Sequence, residues 1–367
     1  KYDVHAASSA EEAIKVLEKK SNFAVVISDH DMPGMNGIDF LNIVKSKYPD
    51  IVRILMTAFG DMEIVIDAVN ESNIFRFLVK SLDLAKFDRA ITDAIDLYRI
   101  YTSEKYLKKK LEDTNKKLEQ DLRAAAKLQQ DIQPAPSSIS GYSFNSLYMP
   151  SEFLSGDNFN YFVLDNLIVF YVLDVTGSGI PASMLSFTIS KMLNSDKIPT
   201  NPLLEQTDSK YFPKSPSNAL KQLNKTFLTR DEDLQFFTIT LGQINIETGK
   251  VKISNGGNRR PIYQSANSTD FLKIKGLPIG ALDDSTFMEK EFTLNRKDKL
   301  IVYTDGLCEL RNDKDQMYSE DRMLEKISEK SVLDGASLMI DLKNEAIEWQ
   351  GKNSHSDDIT ILCIEKV

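Results

Sequence analysis

The chain has 367 residues, 42% of them hydrophobic and 27% charged, which is the balance of a soluble globular protein of two to three domains. A net charge of −9 disfavours nucleic acid or an anionic membrane as the main partner, and no apolar run approaches the ~20 residues that cross a bilayer. The two cysteines, Cys308 and Cys363, lie in separate apolar strand-like runs, so a reduced, cytoplasmic protein without a disulfide framework is expected. Patterned sequence is already under way at Lys1, which is the expectation for a piece of a longer chain.

Residues 1–90 alternate strand-like runs with amphipathic stretches. Phe23–Asp29 (FAVVISD), Ile51–Ala58 (IVRILMTA) and Phe75–Lys80 (FRFLVK) are the apolar runs. SSAEEAIKVLEKK and GIDFLNIVKSKY carry helical periodicity, and the first opens on serines suited to an N-cap. Strands alternating with helices predict a doubly wound α/β domain on a parallel sheet.

Residues 91–133 change character. Taking Leu97 as position a, the a/d series is Leu97, Ile100, Glu104, Leu107, Leu111, Thr114, Leu118, Asp121, Ala125, Leu128 and Ile132, apolar at eight of eleven positions. This is a coiled-coil seam with polar interruptions, and a homodimer through it is expected; a long helix packed on its own domains is the other reading. QPAPSSISG then ends the helix and opens residues 134–367. That segment is strand-rich, with NIETGKVKI read as a hairpin. Helices are expected over 181–193, 216–227, 319–330 and 336–349, in a layered α+β domain.

Four acidic sites in this segment, the last a pair, share one context. Asp157 stands just before a strand pair, Asp174 ends FYVLD, Asp305 ends KLIVYTD, and Asp357 and Asp358 precede the last strand. Carboxylates at several strand ends can converge, and a partly buried cluster repels itself unless a cation compensates it. Oxygen donors suit hard ions such as Mg²⁺ or Mn²⁺. The loop DVTGSGIP is not a Walker loop, having no GxxxxGK[ST].

The ordered set SGDNFN, DVTGSGIPA, NGGN, YTDGLCE and DDIT, preceded by LQQDIQP, resembles the SpoIIE-like branch of the metal-dependent PPM family of serine/threonine phosphatases, over roughly residues 122–367. The resemblance implies a layered α-β-β-α fold and two divalent cations. Asp174 would bridge them, with the Val175 carbonyl adding an oxygen. Asp157 would support the first ion through water, Asp305 and Asp357 would hold the second, Asp358 is the lesser candidate of its pair, and Glu309 would serve an accessory ion. A water shared between two cations loses its proton readily and becomes the nucleophile. Departures from the family pattern are Ser155, Asn160 and Asn258, none of them at an implied direct ligand. Arg259 and Arg260 would either grip phosphate or stand solvated.

VVISDHDMPGMNG resembles the phosphoacceptor region of two-component receiver domains. The resemblance implies phosphorylation of Asp29 with Mg²⁺, a following Thr57, a pairing Lys80 and a switch aromatic at Phe77. The match begins near the family's second strand, so the acidic pair that binds Mg²⁺ is absent and this stretch alone is expected to phosphorylate poorly. His5, His30 and His355 are scattered and make no zinc pattern.

The combined expectation is a truncated receiver, a helical linker and a phosphatase domain. Its partners would be a histidine kinase and a phosphorylated protein substrate, which the family implies is an anti-sigma-factor antagonist. The alternative is a non-catalytic adaptor on a degenerate phosphatase fold, binding a partner such as a sigma factor.

Overall fold

The computed structural model describes residues 2–20, 22–58, 74–80, 84–194, 201–207, 210–228, 236–351 and 357–367. The chain divides into two compact units, 1–118 and 119–367.

In the first unit, helix α1 (Ala10–Lys19) is followed by β1 (Val25–Asp29), α2 (Gly37–Lys47), β2 (Val52–Thr57) and β3 (Arg76–Val79). Ser9 caps α1 by accepting from the Glu12 amide, while the Ser8 amide donates back to the Glu12 carboxylate, a reciprocal box that satisfies two orphan groups. The three strands pair in the order β1-β2-β3, all parallel. Leu41, Val44, Leu55 and Ala10 close one face of the sheet. Val52, Ile54 and Leu78 close the other against Ala90 and Ala94 of α3 (Leu84–Asp131). A single 48-residue helix runs through the segment expected to be a helical linker, and its first turns belong to the first unit's core. Further along, Ile100, Leu107, Leu111, Leu118 and Leu128 of the seam are exposed.

The second unit is a two-sheet sandwich. A five-stranded sheet runs β14 (Glu289–Thr293), β11 (Lys250–Gly256), β10 (Phe237–Asn245), β7 (Leu167–Val175), β6 (Asn158–Leu164). A six-stranded sheet runs β13 (Thr269–Phe271), β12 (Ile262–Gln264), β15 (Lys299–Tyr303), β16 (Ile359–Lys366), β5 (Tyr142–Met149), β4 (Ser137–Ile139). A separate hairpin pairs β8 (Leu204–Thr207) with β9 (Lys210–Pro213).

Alternation along the strands builds the layers. In β7, Ile168, Phe170 and Val172 enter the core between the sheets, together with Val302, Leu362 and Ile364 of the opposite sheet. Val169, Tyr171, Leu173 and Val175 point the other way, onto α4 (Gly179–Leu193) and α5 (Pro216–Phe227). Ile301, Tyr303, Ile361 and Cys363 cover α7 (Glu320–Glu329) and α8 (Gly335–Gln350). Both faces of the central strands are covered, which is why LIVFYVL reads as an unbroken apolar run. The layers are therefore α-β-β-α, and NIETGKVKI forms the β10–β11 hairpin, with Gly249 at φ +70°.

Candidate metal centre and phosphoacceptor site

Antiparallel pairing brings the acidic residues to one end of the sandwich. The β6–β7 register sets Asn158 opposite Leu173, so Asp157, just before β6, meets the end of β7 where Asp174 lies. In the other sheet the β15–β16 register sets Tyr303 opposite Ile361, which leaves Asp305 beyond one strand and Asp357 and Asp358 before the other. The two chain segments approach closely there. A Cβ on Gly306, first residue of the one-turn helix α6 (Gly306–Glu309), would stand 2.0 Å from the Asp358 carbonyl oxygen, so only glycine fits.

Each carboxylate has a distinct role. Asp157 is 1% exposed and accepts from the Thr304 hydroxyl at 2.7 Å, which in turn accepts from the Thr360 amide at 3.1 Å. Asp358 takes amide hydrogens from Ser151 at 2.7 Å and Gly156 at 2.8 Å, and the Ser151 hydroxyl at 2.9 Å. Both of its oxygens are thereby spent on fixing the loop that carries Asp157. Asp357 accepts from the Asp358 amide and, with Asp305 and Glu309, offers oxygens all within 4.8 Å of one another.

Burial raises Asp174 to about 7, helped by the negative charges of Asp305, Asp357 and Asp358 and opposed by its hydrogen bond with Asp157. Asp157 is raised well above the carboxylate range by burial and by Asp174. Asp357 is raised by burial chiefly, and by Asp305 among its neighbours. A carboxylate set that holds protons in neutral water is one that a divalent cation relieves, and the all-oxygen donor set fits Mg²⁺ or Mn²⁺. The Val175 carbonyl lies against Gly156, where an added Cβ would be 3.1 Å from its oxygen.

Both arginines are ion-paired while staying partly exposed, Arg259 at 36% and Arg260 at 50%. Arg259 reaches Glu309 at 2.5 Å and Asp305 at 3.5 Å, and Arg260 pairs with Glu320 at 2.9 Å while lying over the Phe271 ring. Asn258, at the departure from the family pattern, accepts from the Arg259 amide at 2.7 Å. Asn160 accepts from the Tyr161 amide.

Several positioning residues escaped the sequence reading. Gln129 of α3 makes a reciprocal amide pair with Ser155, donating to its carbonyl at 2.8 Å and accepting from its N–H at 3.0 Å. Its motif, LQQDIQP, was visible, but nothing in it says which glutamine turns inward. Thr304 adjoins Asp305 in YTDG, and its neighbour's prominence hid it. Ser151 carries no signal at all.

In the first unit, Asp29 ends β1, Thr57 ends β2 and Lys80 follows β3, so parallel pairing delivers all three to one edge. Lys80 bridges Asp29 at 2.8 Å and approaches Asp31 at 3.9 Å. Thr57 is fully buried and Phe77 is 36% exposed. His30 directly follows Asp29 and its amide bonds to the Met56 carbonyl, His5 lies by Asp3 and Lys20, and His355 lies outside the described residues.

A parallel sheet presenting Asp29 to Lys80, and a two-sheet sandwich with converging carboxylates, define a receiver domain joined to a PPM-type phosphatase fold. The chain belongs to the family described as Stage II sporulation protein E (SpoIIE), whose model matches residues 165–367, and residues 1–92 match the response regulator receiver domain. The phosphoserine phosphatase RsbU of Bacillus subtilis is 23% identical over 224 residues, 60% of this chain and 62% of that protein. Protein IcfG of Synechocystis is 23% identical over 262 residues, 66% of this chain and 41% of that protein. The chain thus spans less than two thirds of either relative. The SiaA-PP2C domain of Pseudomonas aeruginosa shares the fold at a TM-score of 0.56 and 16% identity, covering 69% of this chain and 98% of that one. The PP2C domain of SpoIIE from Bacillus subtilis does so at 0.50 and 19%, covering 63% and 64%. Among the described residues no helix is long and apolar enough to cross a membrane.

Proposed function

We propose that the chain is a response regulator whose output is metal-dependent hydrolysis of phosphoserine or phosphothreonine on a protein. The observation that carries this is the convergence of Asp157, Asp174, Asp305 and Asp357 at one end of the sandwich, with Asp174 raised to about 7 by burial and its acidic neighbours. Asp157, Asp174 and the Val175 carbonyl would hold one divalent cation, Mn²⁺ or Mg²⁺, and Asp305 and Asp357, with Glu309 near, a second. When bound, the pair would supply a deprotonated water and would neutralise phosphate charge. The chain's own work is positional. Thr304 fixes the Asp157 carboxylate, Asp358 and Gln129 hold the 151–156 loop, and Asp174 gives up its proton as the site loads.

The substrate that the family suggests is a phosphorylated anti-sigma-factor antagonist, and the upstream partner a cytoplasmic histidine kinase acting on Asp29. The exposed leucines of α3 suit a dimer in which phosphorylation at Asp29 is relayed along the helix to the Gln129–Ser155 contact. The domains would then be a receiver over 1–90, a linker over 91–133 and a phosphatase over 134–367.

The test is Mn²⁺-dependent release of phosphate from a phosphoserine protein and from p-nitrophenyl phosphate by the whole chain. Hydrolysis lost in Asp174→Asn supports the reading. Equal rates in parent and variant would sink the mechanism, and metal binding without hydrolysis would favour a non-catalytic adaptor.

A further inference from the structure

We propose that Arg259 is a tethered counter-ion that occupies the Asp305–Glu309 side of the acidic centre and must leave it when a divalent cation loads there. The inference rests on the metal reading above. Its guanidinium lies 2.5 Å from Glu309 and 3.5 Å from Asp305, two of the three carboxylates whose oxygens cluster within 4.8 Å. A guanidinium and a dication on the same carboxylates repel each other, so the two compete.

The residue is built to move at its tip alone. The Asn258 side chain accepts from the Arg259 amide at 2.7 Å, and the Asn255 side-chain amide donates to the Asn258 and Arg259 carbonyls at 3.0 and 3.2 Å. The side chain beyond that anchored root is 36% exposed. A second berth is already within reach, because Glu320 at the start of α7 stands 3.9 Å from the other guanidinium nitrogen. Arg260 holds that carboxylate at 2.9 Å and is itself laid over Phe271, so the berth stays in place. Arg259 therefore exchanges Asp305 and Glu309 for Glu320 as the cation enters. The consequence is a threshold on one side of the centre only, since Asp157 and Asp174 have no such partner among the described contacts. Metal uptake is then biphasic, with the weaker phase set by Arg259.

The experiment titrates Mn²⁺ into the whole chain and follows free ion by electron paramagnetic resonance, with no substrate present. Arg259→Gln should tighten one binding phase by about ten- to a hundredfold, the range that a near-surface charge contact carries. Arg259→Lys, which keeps the charge on a shorter side chain with a single nitrogen, should give a smaller gain. Glu320→Gln should weaken the same phase, and that effect should shrink in the Arg259→Gln background. Melting of the metal-free proteins reports folding, and Arg259→Gln should melt lower without Mn²⁺ yet gain more from adding it. Mn²⁺ bound equally, or less tightly, by both glutamine and lysine variants overturns the inference alone. No Mn²⁺ bound by any of the proteins overturns the metal reading and the inference together.

Discussion

Both units place aspartates at the ends of strands, yet the two settings solve the charge differently. Asp29 is 39% exposed and meets a cation of its own chain, Lys80, at 2.8 Å. Asp157 is buried and Asp174 beside it half-buried, and the Asp157 carboxylate is met by a threonine hydroxyl, with no lysine or arginine paired to either among the described contacts. The first site is balanced by its own lysine, and on the proposed function it would accept a covalent phosphoryl group on an accessible oxygen. The second is in deficit, and on the proposed function a divalent cation would complete it. An exposed carboxylate beside a lysine is a place for modification, whereas a buried set of carboxylates is a place for metal.

The largest effect should fall on the deficit. Asp174→Asn removes the carboxylate proposed to be shared by the two cations, and Mn²⁺-dependent hydrolysis should drop by roughly a thousandfold or more. The fold should survive, because the amide replaces a group that already carries a proton near neutrality. Retention of activity with one ion fewer bound would show that Asp174 does not bridge.

Next comes the strut beneath the centre. Asp358→Ala deletes three hydrogen bonds to a charged acceptor and strands the buried Gly156 amide. Denaturant unfolding should show a loss of about 3 kcal/mol. Hydrolysis should fall less than in Asp174→Asn, since the loop carrying Asp157 loosens rather than disappears. Equal stability in variant and parent would mean that Asp358 holds nothing in place.

The same deficit predicts a pH dependence of opposite sign to the usual one for acids. Asp174 titrates near 3.8 when unfolded and about 7 when folded. Between those values only the folded state keeps the proton, so stability of the metal-free protein should fall as pH rises from about 4 to about 7. Below that window both states are protonated, and above it both are ionised and the loss is complete. In chelator, melting temperature against pH should slope downward across the window, and Asp174→Asn should flatten the slope. Apparent Mn²⁺ affinity should climb over the same interval, since binding displaces the proton.

Much of this arrangement was legible in residue order. The unbroken apolar run of β7, ended by Asp174 before the glycines, announced a buried strand delivering a carboxylate, and five motifs in series named the rest. The layered fold followed from strand-rich sequence with few helices. What could not be read was long-range satisfaction. Gln129 and Ser155 are 26 residues apart, Asp358 and Ser151 are 207, and no local pattern says that two such groups will meet. The two arginines after Asn258 were legible as a pair but not as a charge network, because their partners lie on α6 and α7, tens of residues later. Pairing between distant polar groups depends on the finished packing, so it becomes visible only in three dimensions.

The smallest effect should come from the balanced site. Lys80 and Asp29 are each 39% exposed, so water and salt screen their attraction and the bond costs two side chains some freedom. Lys80→Gln should therefore change stability by no more than about 0.5 kcal/mol, and less still in high salt. The Asp174 carboxyl, by contrast, is governed by burial, so the pH slope predicted above should persist in salt. Measuring both variants at low and high ionic strength sets the two sites against each other directly. A salt-insensitive loss of 2 kcal/mol or more in Lys80→Gln would place Asp29 in the same buried regime as Asp174, and the distinction between a site for modification and a site for metal would have to rest on something other than exposure.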